Sequence, residues 1–337
     1  MFIVLRRRLQ KFFIATKGCE INRHWIYKFL ALAAGGLYGL AGCGGSGSGE
    51  ATGSLSVGVS DGPLHDATKV CIAFTEIEVK REGAPPETIV LREETDEPLI
   101  INLLEYQGAH AASLLFDYKL PAGKYQWLRL GVDADLGGTG ANGATVPAEN
   151  GCDGEGSFVA MKSTESTHNL FIPSGAQTGL KFVGGFIVPV NDVVDLTAEW
   201  NLPLSIPEPP GLSPDAILRP VVRLVDNTMV GTLAGRVDDF LIPGMSSCKP
   251  SVYLYDGAPT SEPIDGSAEP LAMAMVNERI INLETEYHYE IGFLLAGEYK
   301  VAFTCDDGTT LTPDTGKAAI ITQQSIDNDE VIVVDLP

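Results

Sequence analysis

The chain has 337 residues, with 23 Lys plus Arg against 44 Asp plus Glu, a formal balance of −21; such an excess of negative charge opposes a nucleic-acid footprint. Charged residues are 20% and apolar ones 45% of the chain, which excludes a disordered acidic tail. With 37 Gly, 21 Pro and few long helical periods, the composition points to an all-β architecture, and the length to roughly two domains.

The charge is unevenly placed: residues 1–42 hold seven Lys/Arg and one acid, whereas residues 43–337 hold 16 basic and 43 acidic groups. Arg6, Arg7, Arg8, Lys11, Lys17, Arg23 and Lys28 precede the apolar run Phe29 to Leu40. A basic flank, a short apolar run and small residues at its end make a secretory signal. About a dozen residues are too few for a span, which needs roughly 20. Two readings of the long flank stay open, a start downstream of Met1 or an extended basic leader. The run closes on Leu40-Ala41-Gly42-Cys43, which resembles the lipobox of bacterial lipoproteins. The resemblance implies a diacylglycerol on the Cys43 thiol, cleavage after Gly42 and acylation of the new amino terminus. Several acyl chains, at about 0.8 kcal/mol per buried CH₂, hold durably to a bilayer. Gly44 after the cysteine, where Asp would imply inner-membrane retention, resembles an outer-membrane sorting signal. An ordinary signal peptide with a coincidental Cys43 is the rival reading. Gly44 to Gly49 is a flexible tether.

From Thr52 the pattern becomes short strands with turn chemistry between them. Leu55, Val57 and Val59 share one face of a strand over 54–60. Over 69–80, Val70, Ile72 and Phe74 alternate, and then Ile77 and Val79 fall out of phase, which predicts a β-bulge near Thr75–Glu76. Further strands are expected over 88–92, 99–104, 125–132, 169–172, 179–188, 193–202 and 217–225. The best helix candidate is 103–116, with Leu103, Leu104, Ala111, Leu114 and Leu115 at helical spacing. Trp127 and Trp200, in strong strands, are expected in the core. Arg219, inside a strand, is expected to pair with Asp195 or Glu199.

Four cysteines remain in the exported body: Cys71, Cys152, Cys248 and Cys305. Four allow three connectivities. Their two-and-two division along the chain makes Cys71–Cys152 and Cys248–Cys305 the economical pairing. A zinc site would need close Cys-x-x-Cys or Cys/His spacing, and there is none. A boundary is read around Val225 to Thr228, giving a signal peptide (1–42), a lipidated cysteine with its tether (43–51), a first β-sandwich (52–227) and a second (228–337). Two echoes link the sandwiches. Gly231-Thr-Leu-Ala-Gly-Arg-Val resembles Gly53-Ser-Leu-Ser-Val-Gly-Val, and Leu294-Leu-Ala-Gly-Glu-Tyr299 resembles Leu120-Pro-Ala-Gly-Lys-Tyr125. In each of the latter, Ala-Gly makes a tight turn where Gly can take φ > 0, and Tyr opens an alternating strand.

Residues 53–63, 101–106, 120–130 and 172–186, with Leu218-Arg219-Pro220-Val221, resemble the bacterial lipoprotein family known as domain of unknown function 4382. That resemblance implies an exported β-rich domain and assigns no catalytic residue. Residues 231–337 more loosely resemble the carboxypeptidase-regulatory-like (prealbumin-like) sandwich, a fold grouped with carbohydrate-binding-like modules; sugar binding does not follow from fold alone.

Reactive chemistry leaves few marks. There is no Gly-x-Ser-x-Gly elbow, no phosphate loop and no dinucleotide fingerprint. Ser60-Asp61 beside His65 reads as an Asp-Gly-Pro turn. Asp133, Asp135 and Asn142 in a Gly-rich loop, with Asp153 and Glu155 at its far end, are calcium candidates, against the default of a plain acidic loop. Tyr253, Tyr255, Tyr287, Tyr289 and Tyr299 are either a sugar platform or the cover of a sandwich face. The expectation is a non-catalytic, lipid-anchored envelope protein at the outer membrane, without a cofactor unless calcium binds. It would meet the bilayer through acylated Cys43 and recognise or scaffold a glycan or another envelope protein. The alternatives are a carbohydrate-binding second domain and, more remotely, a calcium-dependent adhesin.

Overall fold

The computed structural model describes residues 50–94, 97–135, 151–152, 156–173, 179–207, 215–242, 249–257, 270–305, 317–327 and 330–336. Cys43 and the segment before Glu50 lie outside the described residues. Among those described, no helix is long and apolar enough to cross a membrane.

The chain is nearly all β. The first body contains β1 (Thr52–Gly62), β2 (Ala67–Arg81), β3 (Pro86–Val90), β4 (Leu99–Asn102), β5 (Ala112–Pro121), β6 (Gly123–Asp133) and β7 (Phe158–Met161). It continues with β8 (Thr167–Phe171), β9 (Leu180–Phe182), β10 (Phe186–Val188), β11 (Val193–Asn201), β12 (Asp215–Ile217) and β13 (Val222–Asp226). One sheet has the order β13-β11-β1-β5; the other runs β10-β6-β2-β7-β8-β12, with β3, β4 and β9 paired alongside. One core joins the two sheets: Leu55, Val57, Val59 and Trp200 from the first meet Ile72, Phe74, Leu128 and Leu130 from the second. Phe74 stands edge-on to Trp200, with ring centroids 6.5 Å apart, an arrangement aromatic pairs favour.

The second body follows directly: β14 (Val230–Val237), β15 (Ser251–Asp256), β16 (Ala272–Met275), β17 (Asn277–Ile281), β18 (Glu284–Leu295), β19 (Gly297–Thr304), β20 (Lys317–Ile321) and β21 (Ile332–Val333). Its sheets are β17-β18-β14-β21 and β16-β15-β19-β20. A separate core, including Leu233, Val252, Leu254, Ile291 and Val301, fills the space between them.

The two bodies repeat one plan. In each, the first strand lies between an antiparallel and a parallel neighbour: β5 and β11 flank β1, and β18 and β21 flank β14. The registers correspond, since Gly53 lies opposite Leu120 and Gly231 opposite Leu294. The Ala-Gly turns are not hairpins. Each carries the chain from one sheet to the facing one, from β5 to β6 and from β18 to β19. Gly123 takes φ +141 there, a conformation L side chains rarely adopt. The tyrosine that follows fixes the corner. Tyr125 donates its hydroxyl hydrogen to the Pro121 carbonyl (2.9 Å) and Tyr299 to the Leu295 carbonyl (2.7 Å), both four residues back. Burial pushes both phenols up from their ordinary range.

The expected bulge is present: the β2–β6 register slips between Phe74 and Ile77, so that both residues stay buried while Thr75 faces solvent. The expected helix over 103–116 is not formed. Residues 103–105 make a single 3-10 turn and 112–121 form β5. Leu114 and Leu120 reach the core from a strand whose register against β1 shifts twice. These shifts, with Asp117 at φ +49, break the two-residue period and space the leucines like a helix.

Candidate functional site

The outward face of β1 carries Ser54, Ser56, Gly58 and Ser60, and the segment 106–111 lies across it. The Ser60 hydroxyl is within hydrogen-bond distance of the Tyr106 and His110 carbonyls (3.0 and 2.8 Å), and a β-carbon on Gly58 would come 3.2 Å from that of Ala111. Small side chains let this segment approach, and it in turn carries the second body. Gly108 and Ala109 pack against β18, where the Ala109 N–H donates to Glu290 Oε1 (3.0 Å). Nearby, His65 Nε2 and Ser251 Oγ lie 2.5 Å apart.

Beside this junction is a cleft of about 280 Å³. The ends of β1, β11 and β13 form one wall, with Asp61, Glu199 and Arg223; β16 and β18 form the other, with Met273 and Glu290. Pro203, Leu204, Pro270 and Leu271 add apolar surface. Register places Asp61 opposite Trp200, and Glu199 opposite Arg223. Alternation puts Asp61 on the inward face with Val59, and Glu199 on the outward face with Ser60. The cleft therefore curls round the end of the sheet and touches both faces.

Asp61 is 4% exposed, and neither carboxylate oxygen meets a donor at hydrogen-bond geometry. Burial pushes its carboxyl well above the usual range and the Glu199 charge adds to that, while the backbone N–H groups of Leu202 and Gly62 oppose it only in part. Glu199 is also raised by burial, against the pull of Arg223, to which it is ion-paired. Arg223 Nη2 and Trp200 Nε1 are buried without partners. The cleft thus holds polar groups whose bonding capacity is unfilled, an arrangement that folded proteins keep rare.

Sequence reasoning missed this constellation. The turn expected at Asp61 is instead the buried end of a strand, held by the Asp61 N–H donating to the Tyr106 carbonyl (3.0 Å). The partner of Glu199 is Arg223, while Arg219 is exposed. Trp200 is in the core, at 1% exposed. Trp127 is not: it lies half-buried on the outer face, with Lys181 Nζ 4.2 Å and Arg129 Cζ 6.0 Å from its ring centre. The register slip at Lys80–Arg81 adds Gln126 to the strand and turns Trp127 outward.

Of the expected disulfides, Cys71–Cys152 is formed, across a separation of 81 residues. Cys305 is disulfide-bonded; Cys248, its expected partner, lies outside the described residues. Of the calcium candidates, Asp133 ends β6 with its carboxyl raised by burial and by the neighbouring Asp135. Asn142, Asp153 and Glu155 lie outside the described residues. Among the described residues no three His, Cys, Asp or Glu side chains gather as a metal site. Four of the five tyrosines weighed as a sugar platform are buried: Tyr253, Tyr255, Tyr289 and Tyr299. Tyr289 gives its hydroxyl hydrogen to the Val334 carbonyl (2.6 Å). Tyr289 and Tyr299 belong to the sandwich interior, while Tyr253 and Tyr255 pack with Ala302 and Met273 on the other face of β15; buried in this way, the four offer no stacking face.

Residues 52–220 match the family described as Domain of unknown function (DUF4382). The chain belongs to this family. The DUF4382 match takes in Asp61 and Glu199 but ends before Arg223 and the second wall of the cleft. No curated protein sequence matches the chain significantly. Among solved structures it is similar to the Bacillus anthracis TIE protein, at 11% identity and TM-score 0.19, covering 85% of this chain and 33% of that one. The chain therefore spans about a third of the TIE protein's length. It is also similar to the fimbrial anchor protein Mfa2 from Porphyromonas gingivalis, at 6% identity and TM-score 0.19, with 84% and 89% of the two chains covered. A third is GBS52, the minor pilin of Streptococcus agalactiae, at 9% identity and TM-score 0.17, with 84% and 94% covered. At these scores the likeness defines neither topology nor function.

Proposed function

We propose that this DUF4382 protein is a non-catalytic, lipid-anchored component of the cell envelope. It is held at the outer membrane by acylated Cys43 and recognises or scaffolds another envelope component through its two β-sandwich bodies. The observation that carries the reading is the Cys71–Cys152 bridge. Disulfides persist in oxidising compartments outside the cytoplasm, and this one lies in a folded body that follows Leu40-Ala41-Gly42-Cys43. The junction between the bodies supports a recognition role, because His65–Ser251 and Ala109–Glu290 hold the walls of the cleft to one another. The polar groups there suit binding: Glu199 is engaged by Arg223, and among the described residues neither Asp61 carboxylate oxygen has a hydrogen-bond partner.

Anchoring and orientation are tested in turn. Mass spectrometry of the mature amino-terminal peptide should find Cys43 acylated, and Cys43→Ala should release the protein from the membrane fraction. Protease shaving of intact cells carrying a C-terminal tag then assigns the face. Loss of the tag favours capture of an external glycan or protein, and protection until the outer membrane is opened favours an envelope-assembly partner. An unmodified Cys43 would overturn the lipoprotein reading.

A further inference from the structure

We propose that the cleft between the two bodies is a binding site for an organic cation with N–H donors on an alkyl stem. The ligand would be an amine or guanidine, free or presented as a side chain, whose head meets Asp61 and whose stem lies along the apolar wall.

Four observations point there. Asp61 is more than nine-tenths buried and lines the cleft, with neither oxygen satisfied. A buried acceptor left open is costly, and a ligand bringing N–H groups removes that cost while gaining a charge-assisted bond. Glu199 and Glu290 place two more carboxylates on the walls against one guanidinium, that of Arg223, which is engaged by Glu199. The balance in the cleft therefore favours a positive ligand. The rest of the lining is largely apolar, including Pro203, Leu204, Leu271 and Ile291, which suits methylene groups better than a hydrated metal ion. Finally, residues 43–337 carry 16 basic against 43 acidic groups, and a field of that sign steers cations towards the surface.

The inference deepens the recognition reading and rests on it, but not on anchoring. Its test reads a small probe on the purified protein, so failure here would leave the acylation and shaving results standing. The full chain in a sugar-headgroup detergent is titrated calorimetrically with cadaverine and agmatine, and with pentane-1,5-diol as the uncharged control. The expected result is saturable one-to-one binding of one or both cations, no binding of the diol, and a melting temperature that rises with probe concentration. Asp61→Asn should weaken cation binding by about ten- to hundredfold, with the fold retained by melting. Asp239→Asn, which removes an exposed charge on the second body, should leave it unchanged. A lysine-containing tripeptide blocked at both ends separates the two sources of the ligand: tighter binding than cadaverine assigns the head to a partner protein, weaker binding to a free amine. Equal weakening by Asp61→Asn and Asp239→Asn would show general counterion attraction and overturn the proposal. So would equal binding of the diol, or no binding of either cation at millimolar concentration.

Discussion

Gly292 on β18 and Gly108 in the segment over β1 meet backbone to backbone. A β-carbon on Gly292 would lie 2.5 Å from the Gly108 carbonyl oxygen and 2.6 Å from Ala109 Cα. No side chain fits between them, so the contact joining the two bodies depends on glycine at that position.

Gly292→Ala is accordingly expected to push the bodies apart. Overpacking of this kind costs about 1–3 kcal/mol. The expected outcome is a lower melting temperature, with a larger radius of gyration by solution scattering. Asn277→Ala, on an exposed strand of the same sheet, should change neither.

The two sheet-crossing corners make a matched pair of tests. Tyr125→Phe and Tyr299→Phe each remove a hydroxyl from the carbonyl four residues back. Each should lower stability by about 1 kcal/mol, read from the urea midpoint. Because the corners lie in separate cores, the double variant should show the sum of the two losses.

Breaking the Cys71–Cys152 bridge releases a loop of 81 residues of sequence separation. In the chain-entropy account a loop of that size is worth about 4–5 kcal/mol. Cys71→Ala with Cys152→Ala should therefore show a large fall in denaturation midpoint, and wild-type protein under reductant should fall at least as far, since Cys305 is also disulfide-bonded.

Asp61 gives stability an unusual dependence on pH. Its folded carboxyl is raised well above the ordinary value, so between the two values the folded state holds a proton that the unfolded chain has released. Proton linkage then favours unfolding as pH rises. The contribution is most favourable below the unfolded value of about 4 and is lost progressively above it. Glu199 acts in the same direction. Urea midpoints measured from pH 4 to 8 should decline less steeply in Asp61→Asn than in wild type, and the variant should be the more stable at neutral pH. An unchanged slope would contradict the buried placement of Asp61.

Much of the fold was legible in local patterning. The phase slip at Thr75–Glu76 marked a bulge, and the paired Ala-Gly-x-Tyr segments marked equivalent corners. What stayed hidden depended on distant pairing. Asp61-Gly62-Pro63 looks like a turn because a turn is what those residues favour alone; Asn201 and Trp200, far along the chain, draw it into a sheet. Leu114 and Leu115 look helical because a bulged strand near Asp117 has lost its alternation. Trp127 faces outward on account of one additional residue, Gln126, and nothing in its own neighbourhood announces the change. The cleft was the least legible part, since its walls come from five strands of two different bodies and its chemistry exists only once they meet.

The shared plan of the two bodies also sets an order of assembly. Each opens with the strand that ends up in the middle of its sheet, and that strand's parallel neighbour arrives late: Val193 pairs with Ser54, and Ile332 with Leu233. A chain delivered from its amino terminus must keep β1, and later β14, waiting with one flank unpaired until those partners emerge. Long-range pairing of this kind is slow and leaves sheet edges exposed to other chains. The interval between first and last strand is therefore when the unpaired flanks of β1 and β14 are open to other chains, and the sheet of the second body cannot close until Ile332 has been delivered.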